Sequence, residues 1–168
     1  MATLRRSIAA SVLFTVFGGP GVVLVLGPWG ITGLRIAHRQ PMGWQVVAWG
    51  LIGVGLVPLL ESIVRFVRVG RGSLFPTVPT ERLVVSGLYR WVRNPMYVGD
   101  VVVLLGEALL FRSAWMLAYT LAIGLGFDLF IRKYEEPTLQ RRYGAEYTGF
   151  CVRVNRWWPR MPTKENGR

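Results

Sequence analysis

The sequence predicts an all-α, polytopic membrane protein with about four transmembrane helices, or five. Hydrophobic residues make up 52% of the 168 residues and charged residues only 17%. Both fractions depart from the average of soluble proteins towards that of membrane proteins. The apolar residues fall into runs of about the 20 residues that a bilayer crossing requires, and arginines flank these runs. The length is that of a single domain, residues 1–168.

Two apolar runs lie in the N-terminal region, residues 1–68. The first begins after Arg5 and Arg6 and is too long for the apolar core of a signal peptide, so we expect a retained span at about Ile8–Leu26. Gly18–Gly21, which includes Pro20, should kink or break it. The second run is Met42–Leu60. Glu61 and Arg65 follow at helical spacing and are expected to pair.

The next segment, Arg68–Thr80, contains two glycines and two prolines, which predict a loop. A third span is predicted at Pro95–Phe111, because proline suits the first turn of a helix. Arg112 and Ser113 form a minimal turn before a fourth span at Ala114–Ile131. These two spans therefore form an antiparallel hairpin. Beyond it, Pro137 is expected to open a short helix that ends at Gly144.

Positive charges predict the orientation. Seventeen of the 20 Lys and Arg residues lie in the N-terminus, the loop between spans two and three, or the C-terminal tail. The positive-inside rule then places both termini in the cytoplasm, in a plasma or inner membrane. Two polar segments consequently face the same compartment. One is Glu81–Asp100, with the core Arg93-Asn94-Pro95-x-Tyr97, and the other is Arg132–Glu136. We expect them to meet and form one site.

Several classes of function are disfavoured by the composition. The single cysteine, Cys151, excludes an intramolecular disulfide and a Cys-based zinc site, and the single histidine, His38, disfavours a His-ligated metal or a His-based triad. The net charge of +11 arises from arginines beside apolar spans, which favours topology control over nucleic-acid binding. We expect a membrane partner, no nucleic acid and no metal.

Three carboxylates lie in or at the ends of spans three and four, where charges are usually functional or paired. Glu107, well inside span three, is predicted to face the bundle and to belong to the site, with an interhelical hydrogen bond as the alternative. Asp128 precedes Arg132 by four residues, so it either pairs with that arginine or serves the site. Asp100 is likewise open between structure and function.

The two polar segments suit a polar, partly cationic ligand. Glu135 and Glu136 offer anionic acceptors for an ammonium group or ribose hydroxyls, although Glu136 also has the spacing of a helix-end ion pair with Arg132. The Asn94-Pro95-x-Tyr97 turn supplies an amide, backbone groups and an aromatic face. S-adenosylmethionine is one molecule of this kind, but these residues alone do not select it.

The two segments also resemble a known family. Leu83–Gly99, LVVSGLYRWVRNPMYVG, is similar to the signature of isoprenylcysteine carboxyl methyltransferases and their bacterial relatives, which reads Leu-Val, Gly-x-Tyr and Arg-His-Pro-x-Tyr-x-Gly. Glu135–Pro159 is similar to their second signature, Glu-Glu-x-x-Leu, Phe/Tyr-Gly-x-x-Tyr, Val-x-Arg and a final Pro. The motifs cover about half of the chain. One departure is Asn94, where the family has His, so a role that needs an ionisable imidazole is excluded there.

The resemblance implies a membrane methyltransferase that uses S-adenosylmethionine, with residues 81–160 as the cofactor-binding catalytic region. Arg132 matches an arginine that faces the substrate, and with Glu107 it is our predicted catalytic pair. Gly99 would allow close helix packing. The predicted cofactor-binding residues are Leu83, Val84, Tyr89, Asn94, Pro95, Met96, Tyr97, Glu135 and Glu136.

The resemblance leaves the methyl acceptor open. A lipophilic acceptor from the bilayer is expected, with an anionic head favoured by Arg132. Three alternatives remain. Phospholipid or lipid-amine N-methyltransferases have similar Glu-Glu signatures. A sterol-reductase-like protein would use NADPH, but the paired glutamates disfavour phosphates. A non-catalytic membrane scaffold would bind no cofactor.

Overall fold

The structure is a computed structural model that describes residues 19–36, 41–68 and 83–160. The regular secondary structure of this part of the chain is helical, apart from one isolated bridge between Val92 and Asn155. Most of the predicted first span, His38 and most of the predicted loop after Arg68 lie outside the described residues.

The helices follow in order along the chain. Helix α1 spans Val22–Thr32, and its first five residues form a π-helical segment. Helix α2 spans Met42–Arg68, and a 3₁₀ turn spans Gly87–Arg90. Helix α3 is Pro95–Phe111 and helix α4 is Ala114–Phe130. A π-helical turn, Ile131–Glu135, joins α4 to α5, Glu136–Tyr143, and α6 spans Ala145–Arg153.

The described parts of α2 and α3 pack backbone to backbone. A Cβ atom on Gly99 would lie 2.6 Å from the carbonyl oxygen of Gly55, and one on Gly106 would lie 2.8 Å from that of Ala48. Real Cβ contacts are longer, so only glycine permits this approach, as in small-residue interfaces of membrane helices. The expectation that Gly99 allows close packing is confirmed.

The predicted hairpin of α3 and α4 is also confirmed. Arg112 takes a left-handed conformation, with φ of 49°, and Ser113 caps α4 by accepting a hydrogen bond from the Met116 amide at 3.3 Å. Met116 is fully buried against Leu104 and Ala108 of α3. Helix α3 is the central helix, because it contacts α2 on one side and α4 on another.

Two continuous helical stretches are long and apolar enough to cross a membrane: Met42–Arg65 within α2, and Ala114–Tyr143, which runs from α4 through the π-helical turn into α5. Along α4, large apolar side chains at every fourth position are exposed, which is the pattern of a lipid-facing stripe. These residues are Leu117, Leu121, Leu125 and Leu129. Helix α3, with 17 residues, is shorter than these two.

Two predicted boundaries were too short. Helix α1 continues to Thr32 rather than ending at Leu26, and α2 continues to Arg68 rather than Leu60. The Glu61–Arg65 ion pair forms as expected and supports the extra turns of α2. Helix α4 ends at Phe130, within one residue of the predicted Ile131, and the chain stays helical through the π-helical turn into α5. The short helix predicted at Pro137 begins at Glu136 and is capped by Gly144, as expected.

Candidate functional site

The Arg93–Tyr97 turn is held by the C-terminal tail. The Arg93 amide donates to the Asn155 carbonyl at 2.8 Å, beside the Val92–Asn155 bridge. The buried Asn94 side chain donates to the Arg156 carbonyl at 3.2 Å. Pro95 then opens α3. The side-chain amide of Asn94 therefore holds the backbone of the C-terminal tail at Arg156. This contact does not require an ionisable side chain.

Tyr97 connects this turn to the end of α4. Its hydroxyl donates to Oε2 of Glu135 at 3.0 Å, and its ring packs against Phe127 with centroids 4.6 Å apart. Glu135 is the last residue of the π-helical turn. The contact uses one of the two carboxylate oxygens of Glu135, so the other can accept a hydrogen bond from a ligand.

Glu136 is the centre of an ion triad, which we define as Glu136, Arg93 and Arg156. Arg93 donates to Oε1 at 2.9 Å. Arg156 donates to both oxygens, at 2.8 and 2.7 Å, in the bidentate geometry that strengthens such pairs. These hydrogen bonds raise the pKa of the Arg156 guanidinium. Arg93 also donates to the sulfur of Cys151 at 3.0 Å. The triad joins the turn, the start of α5 and the tail.

An apolar cluster lies next to the triad. Burial raises the pKa of Tyr89 and that of Tyr147 above their usual range, so both phenols stay protonated at neutral pH. The predicted residue Leu83 is partly buried against this cluster. Its buried members are Val84, Tyr89, Tyr147, Phe150 and Val154.

Arg132 is not a member of the triad. It is 54% exposed and donates to Oδ2 of Asp128 at 2.7 Å, while the Trp157 indole donates to the other Asp128 oxygen at 2.8 Å. The π-helical turn adds a residue to the helical repeat, so Arg132 and Glu136 no longer have the spacing that places two residues on one face of an α-helix. Of the two alternatives for Asp128, the structure shows pairing with Arg132.

The two carboxyl groups inside α3 differ in position. Glu107 is ten residues after Tyr97, or about 15 Å along the helix axis, and its Oε2 is buried without a hydrogen bond among the described residues. Its catalytic role stays a prediction. Asp100 is one turn after Tyr97, is 2% exposed and has a buried, unpartnered Oδ1.

An apolar groove of about 260 Å³ opens beside the turn. It lies between α2, the 3₁₀ turn, the start of α3 and the tail. Its lining residues are Pro58, Leu88, Trp91, Val92, Pro95, Val98 and Pro159. A groove of this kind accepts a hydrocarbon chain more readily than a polar group.

The expectation that the two polar segments meet is confirmed by the Tyr97–Glu135 and Arg93–Glu136 contacts. Glu107 and Arg132 do not take part in those contacts. No role was predicted for Arg93 or Arg156. Both lie within the two signatures, and that position in the sequence could have indicated them as site residues.

The described side chains suit a cationic ligand group. Glu135 has an oxygen that Tyr97 does not use, and Asp100 has an oxygen with no partner. Among the described residues, no group of three or more His, Cys, Asp or Glu side chains could hold a metal ion.

Comparison with known proteins places these elements in a wider group. Residues 44–146 match the family described as Phospholipid methyltransferase, a stretch that runs from α2 into α6 and includes Arg93–Tyr97, Glu135 and Glu136. No curated protein matches the chain.

Proposed function

The chain belongs to the phospholipid methyltransferase family, and from that premise we propose that it transfers a methyl group from S-adenosylmethionine to a hydrophobic acceptor in the membrane. The observation that carries this proposal is the junction of the two signatures. Tyr97 contacts Glu135, and the Glu136 ion triad fastens the turn to the tail. A cofactor site formed by both segments requires such a junction.

We propose that the donor lies against this junction, lined by the nine residues that the signatures indicate. Glu135 would accept hydrogen bonds from its polar groups, and Tyr97 would offer its ring. Glu136 has most of its acceptor positions filled by arginines, so it would act mainly by holding the turn. Val84 and Tyr89 would act through the apolar cluster behind the turn.

The proposed topology has four spans, with α3 and α4 as the last two and both termini in the cytoplasm. The acidic end of α4 and the Arg93–Tyr97 turn lie together, so the chain between them crosses the membrane an even number of times, as the two spans α3 and α4 would. The charge asymmetry of the sequence supports the cytoplasmic assignment.

The bound donor would supply an electrophilic methyl group, and the protein's task is then positioning. Tyr97 and Glu135 would orient the donor, and packing by α2 and α6 would keep water from it. The apolar groove would hold the hydrocarbon part of the acceptor. The exposed Arg132 guanidinium would meet an anionic head group at the membrane surface, after exchanging Asp128 for it.

Two acceptor classes are consistent with this arrangement. A carboxylate, as in isoprenylcysteine, would be attracted by Arg132. A lipid amine is favoured by the family description. We propose the hydrophobic acceptor in general and treat O- and N-methylation as outcomes of the assay.

Calorimetric titration of the purified full chain in lipid nanodiscs tests the cofactor. We expect heat with S-adenosylhomocysteine and none with NADPH. Heat with NADPH alone would support the reductase alternative, and no heat with either would support the scaffold. Tyr97→Phe should weaken S-adenosylhomocysteine binding, because it removes only the hydroxyl that orients Glu135. Tyr134→Phe is the matched control, since Tyr134 is exposed on the π-helical turn that also contains Glu135.

Transfer of radiolabelled methyl groups tests the acceptor. The full chain is incubated with labelled donor and either phosphatidylethanolamine vesicles or a prenylated cysteine analogue. Label in the first lipid indicates an N-methyltransferase, and label in the second a carboxyl methyltransferase. Cofactor binding without label in either would reject both of these acceptor classes.

A further inference from the structure

Asp100 is an ionisable side chain buried inside α3. It is 2% exposed, and its Oδ1 has no hydrogen bond among the described residues. The ion pairs that the described residues form involve Glu61, Asp128 and Glu136 instead. A buried carboxylate is costly unless it is paired. A cationic group of a bound ligand would provide the partner that the described residues do not.

The location of Asp100 connects it to the candidate site. It follows Tyr97 by three residues, about 4.5 Å along the axis of α3, so the two side chains lie on neighbouring turns of one helix face. The adjacent Gly99 is in backbone contact with Gly55 of α2. Asp100 is therefore one turn deeper in the bundle than the Tyr97–Glu135 contact.

We propose that Asp100 is the anionic partner of the sulfonium group of the methyl donor. This inference rests on the function proposed above and adds a residue to it. The charges are complementary, and the deep position lets the pair form away from water, where the attraction is least screened.

This assignment has a consequence for turnover. Methyl transfer breaks the carbon–sulfur bond, leaves the electron pair on sulfur and forms a bond from the acceptor's lone pair to the methyl carbon. The sulfonium becomes a neutral thioether, so its attraction to Asp100 disappears. The site then distinguishes donor from product by charge and favours product release.

Asp100→Asn in the full chain tests the proposal, because the amide keeps the shape and removes the charge. Affinities for S-adenosylmethionine and S-adenosylhomocysteine are measured by calorimetry in nanodiscs without acceptor. We expect the affinity for the charged donor to fall about tenfold or more and that for the neutral product to change less than about twofold. Asp128→Asn, which removes the same charge from an exposed ion pair, should leave the ratio of the two affinities unchanged.

The outcomes separate this inference from the proposed function. If the wild-type chain binds neither compound, the proposed function fails. If it binds both and Asp100→Asn weakens both equally or neither, the role of Asp100 is wrong while the proposed function stands. If the variant does not fold, sinefungin, which has an ammonium group in place of the sulfonium, is compared with S-adenosylhomocysteine on the wild-type chain. Tighter binding of sinefungin supports the proposal, and equal affinities overturn it.

Discussion

Replacing Glu136 with Gln should destabilise the protein by about 2–3 kcal/mol. The substitution keeps the volume but leaves Arg93 and Arg156 without their shared anion. The three side chains are 15 to 22% exposed, so the cost lies between about 0.2–1 kcal/mol for surface pairs and about 3–5 kcal/mol for a fully buried pair that loses one member. The loss should appear as a lower free energy of unfolding.

The assay is unfolding of the full chain in mixed detergent, followed by circular dichroism. Arg132→Gln is the control, because it breaks an ion pair of similar length whose arginine is 54% exposed and screened by water. A double-mutant cycle with Arg156→Gln measures the coupling directly. If Glu136→Gln were no more destabilising than Arg132→Gln, or showed no coupling to Arg156, the triad would not be what fastens the tail to the turn.

Three further predictions concern other elements. Gly99→Ala should lower the free energy of unfolding by about 1–3 kcal/mol through overpacking against Gly55, whereas Gly53→Ala, which meets nothing within 4 Å, should not; equal effects in an unfolding titration would contradict the close contact. Arg132→Gln should raise the KM for an anionic acceptor in the methyl-transfer assay while calorimetric affinity for S-adenosylhomocysteine is kept, and equal loss of both would reject its acceptor role. Ser113→Ala should lower the free energy of unfolding by about 1 kcal/mol, because it removes the cap of α4; no change in an unfolding titration would count against the cap.

The helical elements were largely predictable because their signals are local. Pro95 and Phe111 were predicted as the bounds of α3, and Arg112 with Ser113 as the turn, and the structure has them there. Proline and glycine act on their own backbone, so such boundaries are readable from a short window. The extra turns of α1 and α2 were missed because the predicted ends followed the length of a bilayer crossing; α1 in fact ends at Gly33, which takes the left-handed conformation.

The pairing of side chains was less predictable, because it depends on helix register and on distant contacts. Arg132 and Glu136 share a face on a regular α-helix, but the π-helical turn at Ile131–Glu135 changes that register. Glu136 then finds Arg93, 43 residues away, and Arg156, 20 residues away. Both arginines lie in the two signatures, but no helical spacing relates either of them to Glu136.

The sequence by itself determined that the chain is helical, apolar and divided at proline and glycine, and that two polar segments stand at the ends of one hairpin. Tertiary structure alone decided which partners the other carboxylates have: Glu136 has two arginines, Glu135 has Tyr97, Asp128 has Trp157 beside its local partner Arg132, and Asp100 has one oxygen unpaired. The reason is physical. A segment's polarity is a property of its residues, whereas the partner of a buried charge is set by helix packing, which brings together atoms far apart in the chain.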